Sequence, residues 1–433
     1  YDNYYLSLPY MRAIQEGKFT QKELNDKVRR VLRLFYRTTM NPNRPHGFLC
    51  SESHYAAARQ IAEEGIVLLQ NKNNVLPINT QKAKRVLVVG ENAIKMMTVG
   101  GGSSSLKVQR EISPLEGLKA RLAKDRIDVD YARGYVGDVT GNYNGVTTGQ
   151  NLNDNRSEAE LIAEAIEKAK TADYVIMFGG LNKSDFQDCE GHDRKQFELP
   201  YNQDKLIEAL AKANKNFVYV NISGNAVAMP WKEKVAGIVQ GWFIGSESGE
   251  ALASILTGDA NPCGKLPFTW VNSLNEVGAH ALNTYPGTWR KEGGTNTKGN
   301  IIDEEYKEGI YVGYRWTDKE RIKPTFAFGH GQSYTQFAIS NLRSDKSELT
   351  QDDTIAFTVN VKNIGKRAGS EVVQLYIHDV KSSVDRPKKE LKGFQKVYLQ
   401  PGENKDVTIT INKEALSFYD ESSSSWKAEA GKF

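Results

Sequence analysis

The sequence predicts two folded domains of different class along one chain, an α/β sandwich domain with a largely parallel sheet followed by an antiparallel β-sandwich. Between Arg85 and about Trp270, apolar runs rich in β-branched residues alternate with helical patterns, which is typical of βαβ units covered on both faces. Past Phe337 the periodicity changes to two, and strands recur without intervening helices, which predicts antiparallel pairing. With 433 residues, the chain is too long for one core and suits two or three domains.

The N-terminal segment predicts an amphipathic helix. Thr20 and Glu23 form a capping-box pattern, and apolar residues follow at helical spacing as far as Phe35. We expect a helix of about five turns that needs a partner surface for its apolar face. Residues 40–47 contain two prolines and predict a linker, after which a second helix runs from Ser51 to near Gly65.

Apolar runs and capping signals place the elements of the two domains. Helices are predicted from Glu158, capped by Ser157 with Glu160, and from Gln203. Residues 271–300 lack periodicity and predict a long connection. The predicted strands are residues 86–89, 127–131, 174–178, 217–222 and 237–242 in the α/β domain, and 355–361, 372–377 and 407–411 in the β-sandwich.

Composition excludes several classes of protein. A hydrophobic content of 39% with 25% charged residues is ordinary for a globular protein, and a net charge of +4 gives no reason to expect nucleic acid or an anionic membrane as partner. The three cysteines match no zinc pattern and cannot all pair, so one disulfide or three free thiols both fit. No apolar stretch is long enough to span a bilayer, and the first residues are neither a signal peptide nor an initiator methionine, so we expect that a targeting segment is missing.

A loop directly after the apolar run 174–178 carries more ionisable groups than a simple connection needs, and we expect it to hold the chemistry. The carboxyl ends of strands in open α/β sheets are where ligands bind. A solvated acidic loop is the alternative. By contrast, Gly100–Gly102 and the following serines lack the nucleotide-binding fingerprints and predict a pocket rim. The ionisable residues of the acidic loop are Lys183, Asp185, Asp188, Glu190, His192, Asp193 and Arg194.

Several motifs in order along the chain resemble glycoside hydrolase family three, the β-glucosidases and β-xylosidases. The matching stretches are residues 64–71, 76–77, 100–104, 113–118, 190–194, 199–203, 258–267, 306–316, 328–335 and 386–394. The resemblance implies a (β/α)8 barrel, an α/β sandwich and a fibronectin type III-like domain. Residues 1–45 then resemble the last helix and exit of the barrel, 46–270 the α/β sandwich, 271–335 a long connection, and 336–433 the fibronectin type III-like domain, which we expect to lack its last strand.

The resemblance also implies the catalytic residue. The family's Glu-Gly-x-Asp-Arg motif falls on residues 190–194 and makes Glu190 the general acid/base. A retaining glycosidase needs this acid about 5–5.5 Å from a nucleophilic carboxylate. The family's nucleophile lies in a Ser-Asp-Trp motif of the barrel, and no Asp-Trp pair occurs in this sequence. Asp188 as the acid, with Glu190 paired to Arg194, stays open as an alternative.

The remaining candidates have supporting roles. We expect Phe186 and His192 to contact substrate. Packing of the loop is an equal explanation for Phe186, and a solvated or hydrogen-bonded side chain is the alternative for His192. Asp193 and Arg194 are expected to support the loop as a pair. Cys189 lacks a recognisable His/Asn relay and is not expected to be a nucleophile. The tryptophans Trp231, Trp242, Trp270 and Trp316 are expected in the core.

The resemblance thus implies that the chain is the C-terminal part of a retaining, exo-acting β-glycosidase, which hydrolyses terminal non-reducing β-linked sugars. Among such enzymes it favours a β-glucosidase, followed by a β-xylosidase. It implies no metal and no organic cofactor, a β-glycoside substrate, and a periplasmic or secreted protein. We expect this chain to be inactive without the barrel, supplied by the same precursor or by a second chain. The alternative is a non-catalytic carbohydrate-binding or interaction protein.

Overall fold

The computed structural model describes residues 8–137, 148–289, 302–350 and 352–433. The chain divides into two compact units, Tyr1–His54 and Tyr55–Phe433. The first unit contains helices α1 (Leu8–Gln15) and α2 (Gln21–Arg37). The predicted capping box of α2 is confirmed, because Glu23 N donates to Thr20 Oγ1 at 3.3 Å and Thr20 N donates to Glu23 Oε2 at 2.7 Å. The apolar side chains of α2, among them Val28, Val31 and Phe35, are exposed.

The second unit is built on a six-stranded mixed sheet in the order β1-β6-β5-β4-β2-β3. Strand β1 is antiparallel to β6, and the other neighbours are parallel. The confirmed fold class is therefore an α/β domain with a largely parallel sheet. Its strands are β1 (Val67–Asn71), β2 (Arg85–Val89), β3 (Asp128–Ala132), β4 (Tyr174–Gly180), β5 (Phe217–Ile222) and β6 (Gly237–Gln240); its helices are α3 (Glu52–Gly65), α4 (Pro114–Ala123), α5 (Glu158–Thr171), α6 (Gln203–Ala213) and α7 (Ser248–Thr257).

All five strands predicted for this sheet are present, with two differences in detail. The last ends at Gln240 rather than at Trp242, where φ is +56°. Strand β1 was not predicted, because a short apolar run that directly follows a helix cannot be assigned by periodicity alone. No helix in the described part of the chain has the length and apolarity that a membrane crossing requires.

Alternate side chains along the strands face two separate hydrophobic clusters, one on each side of the sheet. Val86 and Val88 pack on the side of α4 and α7, whereas Leu87 and Val89 pack on the side of α5 and α6. The prediction that helices cover both faces is confirmed. Of the four tryptophans expected in the core, Trp231, Trp270 and Trp316 are buried; Trp242 is only partly buried and lies at the margin of the core.

Short elements and paired backbone segments occupy the connection between the two domains. Trp270 N donates to Phe326 O at 2.9 Å, and Gln332 N donates to Leu68 O at 2.8 Å, so the connection is bonded to the α/β domain. Part of the predicted connection, residues 290–301, lies outside the described residues. The elements are a 3-10 turn (Leu274–Glu276), α8 (Gly278–Ala281), β7 (Thr288–Trp289), β8 (Ile302–Asp303) and α9 (Tyr314–Lys319).

The C-terminal domain is an antiparallel β-structure, as predicted. Strands β13, β10 and β9 form one sheet in this order, β11 pairs with β12, and β14 pairs with β15. Its core consists of Val361, Val373, Val397, Leu399 and Val407. The strands are β9 (Phe337–Ser344), β10 (Thr354–Asn363), β11 (Gly369–Ile377), β12 (Glu390–Leu399), β13 (Asn404–Asn412), β14 (Phe418–Asp420) and β15 (Ser425–Lys427), with α10 (Lys413–Leu416) after β13.

Helices α4 and α7 cross at two glycines with no room for a side chain. A Cβ on Gly117 would lie 2.1 Å from Gly249 O, and Gly249 N donates to Ile112 O at 2.9 Å. The contact is backbone against backbone, so a methyl group can be accommodated only if one helix moves away.

We therefore expect Gly117→Ala to lower the free energy of unfolding by about 1–3 kcal/mol, the usual cost of overpacking a core. Urea denaturation followed by circular dichroism measures this change. The matched control is Gly65→Ala in exposed α3, where a Cβ would meet nothing within 4 Å, and there we expect a change within about 0.5 kcal/mol. Equal unfolding midpoints for the two variants would contradict the tight crossing.

Candidate active site

The acidic loop begins where β4 ends, at the carboxyl edge of the parallel strands. Gly180 allows this exit: its φ is +111°, and a Cβ there would lie 2.2 Å from Ile222 O at the end of β5. The next residue, Leu181, donates its N–H to the same oxygen at 2.8 Å. Only glycine permits this approach of the two backbones, so the loop leaves the sheet directly beside the end of β5.

Asn182 organises the first part of the loop from within. Its side-chain oxygen accepts from Ser184 N at 2.8 Å, its backbone oxygen accepts from Asp188 N at 3.0 Å, and its own N–H donates to Gln187 Oε1 at 2.9 Å. Gln187 is bonded in turn to the hydroxyl of Tyr201. Asn182 was not predicted as a site residue, although an Asn shortly after two glycines is a turn signal.

Glu190 lies exposed on the loop and is held by the glycine-rich segment after β2. Its N–H donates to Gly101 O at 3.1 Å, and its Oε2 accepts from Ser103 N at 2.5 Å. Between these contacts, a Cβ on Gly102 would lie 2.4 Å from Glu190 Cβ. Hydrogen bonds from Ser103, through its side chain and its backbone N–H, hold the pKa of Glu190 below its ordinary value of 4.5.

Asp188, two positions earlier, is in the opposite electrostatic environment. Its carboxylate turns inward, where Oδ2 accepts from Gly224 N at 2.7 Å and Oδ1 accepts from Asn225 Nδ2 at 3.3 Å. Burial raises the pKa of Asp188 above its ordinary value of 3.8, and the Gly224 N–H and the charge of Arg194 oppose this rise only in part. Asp188 therefore fixes the loop to the segment after β5.

Asp193 and Arg194 both support the loop, but they do so through different partners rather than as the expected pair. The Asp193 carboxylate accepts a hydrogen bond from the hydroxyl of Tyr285, which raises the pKa of Tyr285 to about 12. Arg194 Nη2 donates to Ala226 O at 2.7 Å, and burial lowers the pKa of its guanidinium. The first residue thus ties the loop to the connection, and the second ties it to the segment after β5.

The aromatic candidates form a small exposed cluster. The ring of His192 stacks on Phe186 with centroids 5.1 Å apart, and Lys195 Nζ lies 3.8 Å from the Phe186 centroid. His192 Nδ1 is 3.1 Å from an oxygen of Asp185. Cys189 is a free thiol whose Sγ lies 3.4 Å from His192 O. Contact of Phe186 and His192 with a sugar stays a prediction.

Two cavities adjoin Asp188. One, of about 530 Å³, lies between the loop, the segment after β5 and the connection; its lining includes Arg194, His280 and Tyr285. The other, of about 370 Å³, lies toward the glycine-rich segment; its lining includes Lys183, whose pKa is lowered by burial, and Trp242. Ser104 also lines the second cavity, in agreement with the predicted pocket rim. Tyr285, His280 and the pocket role of Trp242 were missed, because no local pattern marks them.

Comparison with known proteins identifies the family to which this arrangement belongs. The chain matches the glycosyl hydrolase family 3 C-terminal domain over residues 66–314 and a fibronectin type III-like domain over residues 371–433. The chain belongs to glycosyl hydrolase family 3.

Relatives and solved structures are similar along the whole chain. Beta-glucosidase BoGH3A of Bacteroides ovatus is 47% identical over 100% of this chain and 56% of the relative. Thermostable beta-glucosidase B of Acetivibrio thermocellus is 37% identical over 98% of this chain and 51% of the relative. The crystal structure of a Bifidobacterium adolescentis GH3 beta-glucosidase superimposes with a TM-score of 0.81 at 31% identity, over 98% of this chain and 57% of that one. The chain thus spans about half the length of the curated relatives it matches.

The contact between Gly102 and Glu190 predicts that a single methyl group will loosen the loop. In Gly102→Ala the new Cβ must displace Glu190, so we expect amide exchange in residues 186–195 to become about tenfold faster or more. Hydrogen–deuterium exchange with peptide-level mass spectrometry measures this. Gly149→Ala is the matched control: its φ of +70° imposes a similar backbone strain, but a Cβ there meets nothing within 4 Å. Equal effects of the two substitutions on the loop would contradict the contact.

The two carboxyl groups predict opposite pH dependences of stability. Folded Asp188 keeps its proton at pH values where the unfolded chain has lost it, so its contribution falls as pH rises above 3.8 toward the raised pKa. Folded Glu190 loses its proton more readily than the unfolded chain, so its contribution is present above pH 4.5 and is lost as pH falls through the lowered pKa.

Urea unfolding across this acidic range tests both signs. As pH rises, we expect Asp188→Asn to gain stability relative to the wild type and Glu190→Gln to lose stability relative to it. Because each variant removes one titrating group, the other serves as its control. If the stability of both variants relative to the wild type changed in the same direction as pH rises, the two environments would not be opposite.

Proposed function

We propose that this chain supplies the general acid/base half of a retaining, exo-acting β-glycosidase, and that its substrate is a terminal β-glucoside. The observation that carries the proposal is the placement of Glu190, an exposed carboxyl group at the carboxyl edge of the sheet, with its backbone and side chain both held by the glycine-rich segment. The names of the similar relatives, which are β-glucosidases, support glucose ahead of xylose.

The arrangement favours Glu190 over Asp188 as the acid. Both oxygens of Asp188 are engaged by the segment after β5, so a sugar oxygen would have to displace those contacts. Glu190 is exposed and bonded through Ser103, so its carboxyl group can be reached from solvent without breaking a contact to β5.

In the proposed reaction Glu190 acts twice. It first donates its proton to the glycosidic oxygen while a carboxylate on the opposing wall attacks the anomeric carbon, which yields a glycosyl ester and the free alcohol. It then takes a proton from the water molecule that cleaves this ester. The lowered pKa of Glu190 in this chain must rise for the first step, and an opposing carboxylate together with the exclusion of water has this effect.

The second carboxylate is proposed to come from a (β/α)8 barrel in the same precursor or in a second chain. The sequence contains no Asp-Trp pair to provide it. The exposed apolar side chains of α2, which include Val28, Val31 and Phe35, are the proposed contact surface for that barrel, since an amphipathic helix gains most of its stability from packing.

We predict that the 433-residue chain alone hydrolyses no β-glucoside above background, because its sequence contains no Asp-Trp pair to supply the proposed nucleophile. Joining its N-terminus to the part of Beta-glucosidase BoGH3A that the chain does not cover should produce hydrolysis of aryl β-glucosides. In that joined protein, Glu190→Gln should lower kcat/KM about 10²–10⁴-fold for glucosides with poor leaving groups. The loss should be smaller for good leaving groups, and azide should rescue turnover.

The control variant is Glu198→Gln, which changes an exposed carboxylate eight positions further along the same segment. We expect near-normal activity for it. A leaving-group-dependent loss with azide rescue in Asp188→Asn, but not in Glu190→Gln, would transfer the acid/base role to Asp188. Full activity of the isolated chain would contradict the proposal that the acid/base and the nucleophile come from different parts of the protein. A joined protein that binds glucose without hydrolysing glucosides would favour the carbohydrate-binding alternative.

A further inference from the structure

Three side chains of different metal-binding classes converge on the acidic loop. They are the carboxylate of Asp185, the thiol of Cys189 and the imidazole of His192, and one donor atom from each lies within 4.8 Å of both others. His192 Nδ1 and Asp185 Oδ1 lie 3.1 Å apart. In the described part of the chain, this is the one group of three or more such donors that comes this close together.

The separations suit a tetrahedral ion after a small adjustment. Zinc–ligand bonds of about 2.0–2.3 Å at tetrahedral angles place neighbouring donor atoms roughly 3.3–3.6 Å apart. The nitrogen and oxygen, 3.1 Å apart, would therefore separate by a few tenths of an ångström, and the sulfur already lies within 4.8 Å of both. Cys189 and His192 are already close, because Sγ lies 3.4 Å from His192 O.

The surroundings of the cluster hold its ligands but leave room for an ion. Stacking on Phe186 restricts the His192 ring to one plane. Asp185 and His192 are exposed, with side-chain exposures of 70% and 53%, so an ion can enter from solvent and keep a water molecule as fourth ligand. Lys195 is one cation near the cluster, and its Nζ lies over Phe186.

We propose that Asp185, Cys189 and His192 form a site for Zn²⁺ or a similar borderline divalent ion. One thiolate, one imidazole and one carboxylate form the type of mixed set that such ions prefer, and hard ions such as Mg²⁺ do not use sulfur ligands. The thiol gives its proton to the buffer on binding. The imidazole binds through Nδ1 with its proton on Nε2, and the resulting charge of −2 on the ligands balances the ion.

Occupation of this site would fix the backbone on both sides of Glu190. Cys189 directly precedes Glu190, and His192 follows it by two positions. An ion that bridges these two ligands holds the intervening residues as a closed loop, so the backbone at Glu190 loses the freedom to move toward a substrate. Inhibition of hydrolysis by the ion is the consequence, and this last step rests on the proposed function, whereas the metal site itself does not.

Cobalt is a suitable probe because Co²⁺ takes the place of Zn²⁺ and absorbs light when bound. Titration of the fully reduced chain with Co²⁺ should give one equivalent of a species with a thiolate charge-transfer band in the near ultraviolet and tetrahedral bands in the visible. Added Zn²⁺ should abolish both. We expect Cys189→Ser to remove the charge-transfer band, and His192→Ala and Asp185→Asn each to weaken binding by about 100-fold or more, beyond the usual effect of losing an outer-shell partner.

The matched control is Cys50→Ser, which removes an exposed thiol outside the proposed site and should leave the cobalt spectrum unchanged. The site would be overturned if the charge-transfer band persisted in Cys189→Ser or disappeared in Cys50→Ser. It would also be overturned if the wild-type chain showed no such band up to millimolar Co²⁺. Normal circular dichroism of each variant shows that it has folded.

The effect of the bound ion on the backbone around Glu190 is tested separately from activity. Zn²⁺ should slow amide exchange in residues 186–195 of the wild-type chain but not of Cys189→Ser. Unchanged exchange in the wild-type chain at saturating Zn²⁺ would show that the ion does not fix the backbone of this loop. In the joined protein, Zn²⁺ should then inhibit hydrolysis in the wild type and not in Cys189→Ser. A joined protein without any activity would contradict the proposed function, while the cobalt and exchange results would still decide the metal site.

Discussion

Burial of the parallel strands on both faces is the constraint on which the rest of the structure depends. Val86, Val88, Leu87 and Val89 all lie in apolar clusters, so neither face of the sheet can bear a group that needs water or substrate. Polar chemistry is confined to the strand ends, where the parallel arrangement brings the segments after β2, β4 and β5 to one edge. The close approach of Gly180 to Ile222 then directs the acidic loop across this edge.

At that edge, two carboxyl groups of the same loop have different properties because of which neighbours their side chains meet. Asp188 is drawn toward β5 and loses water, whereas Glu190 stays exposed and accepts hydrogen bonds from Ser103. Their pKa values move in opposite directions for these reasons. The loop therefore contains both an internal anchor and a carboxyl group that can reach outward.

Local patterns were sufficient to predict most of the fold. The capping box at Thr20 and the strands after Arg85 and Tyr174 each depend on neighbours within a few residues, so sequence alone places them. Strand β1 escaped prediction because its short apolar run follows a helix directly. Its antiparallel pairing with β6 joins Val67 to Gln240. Such a long-range contact cannot be predicted from the periodicity of the sequence.

The site was predicted less completely, for a related physical reason. The motif at residues 190–194 identifies Glu190 by resemblance, but partners such as Ser103 and Tyr285 come from distant segments that only the folded chain brings together. For the same reason the expected pairing of Asp193 with Arg194 gave way to two separate anchors. The convergence of Asp185, Cys189 and His192 was not predicted either, because their spacing along the sequence matches no known metal-binding pattern.

The bond between Asp193 and Tyr285 has a consequence for where the α/β domain ends. The partners are 92 positions apart, and Tyr285 lies beyond Trp270, where the regular α/β pattern stops. The backbone pairing of Trp270 with Phe326 extends the same dependence further along the chain. A protein shortened at residue 270 would keep every strand of the sheet and yet lose one wall of the larger cavity. The smallest autonomous piece that carries an intact acidic loop is therefore longer than the sheet that supports it.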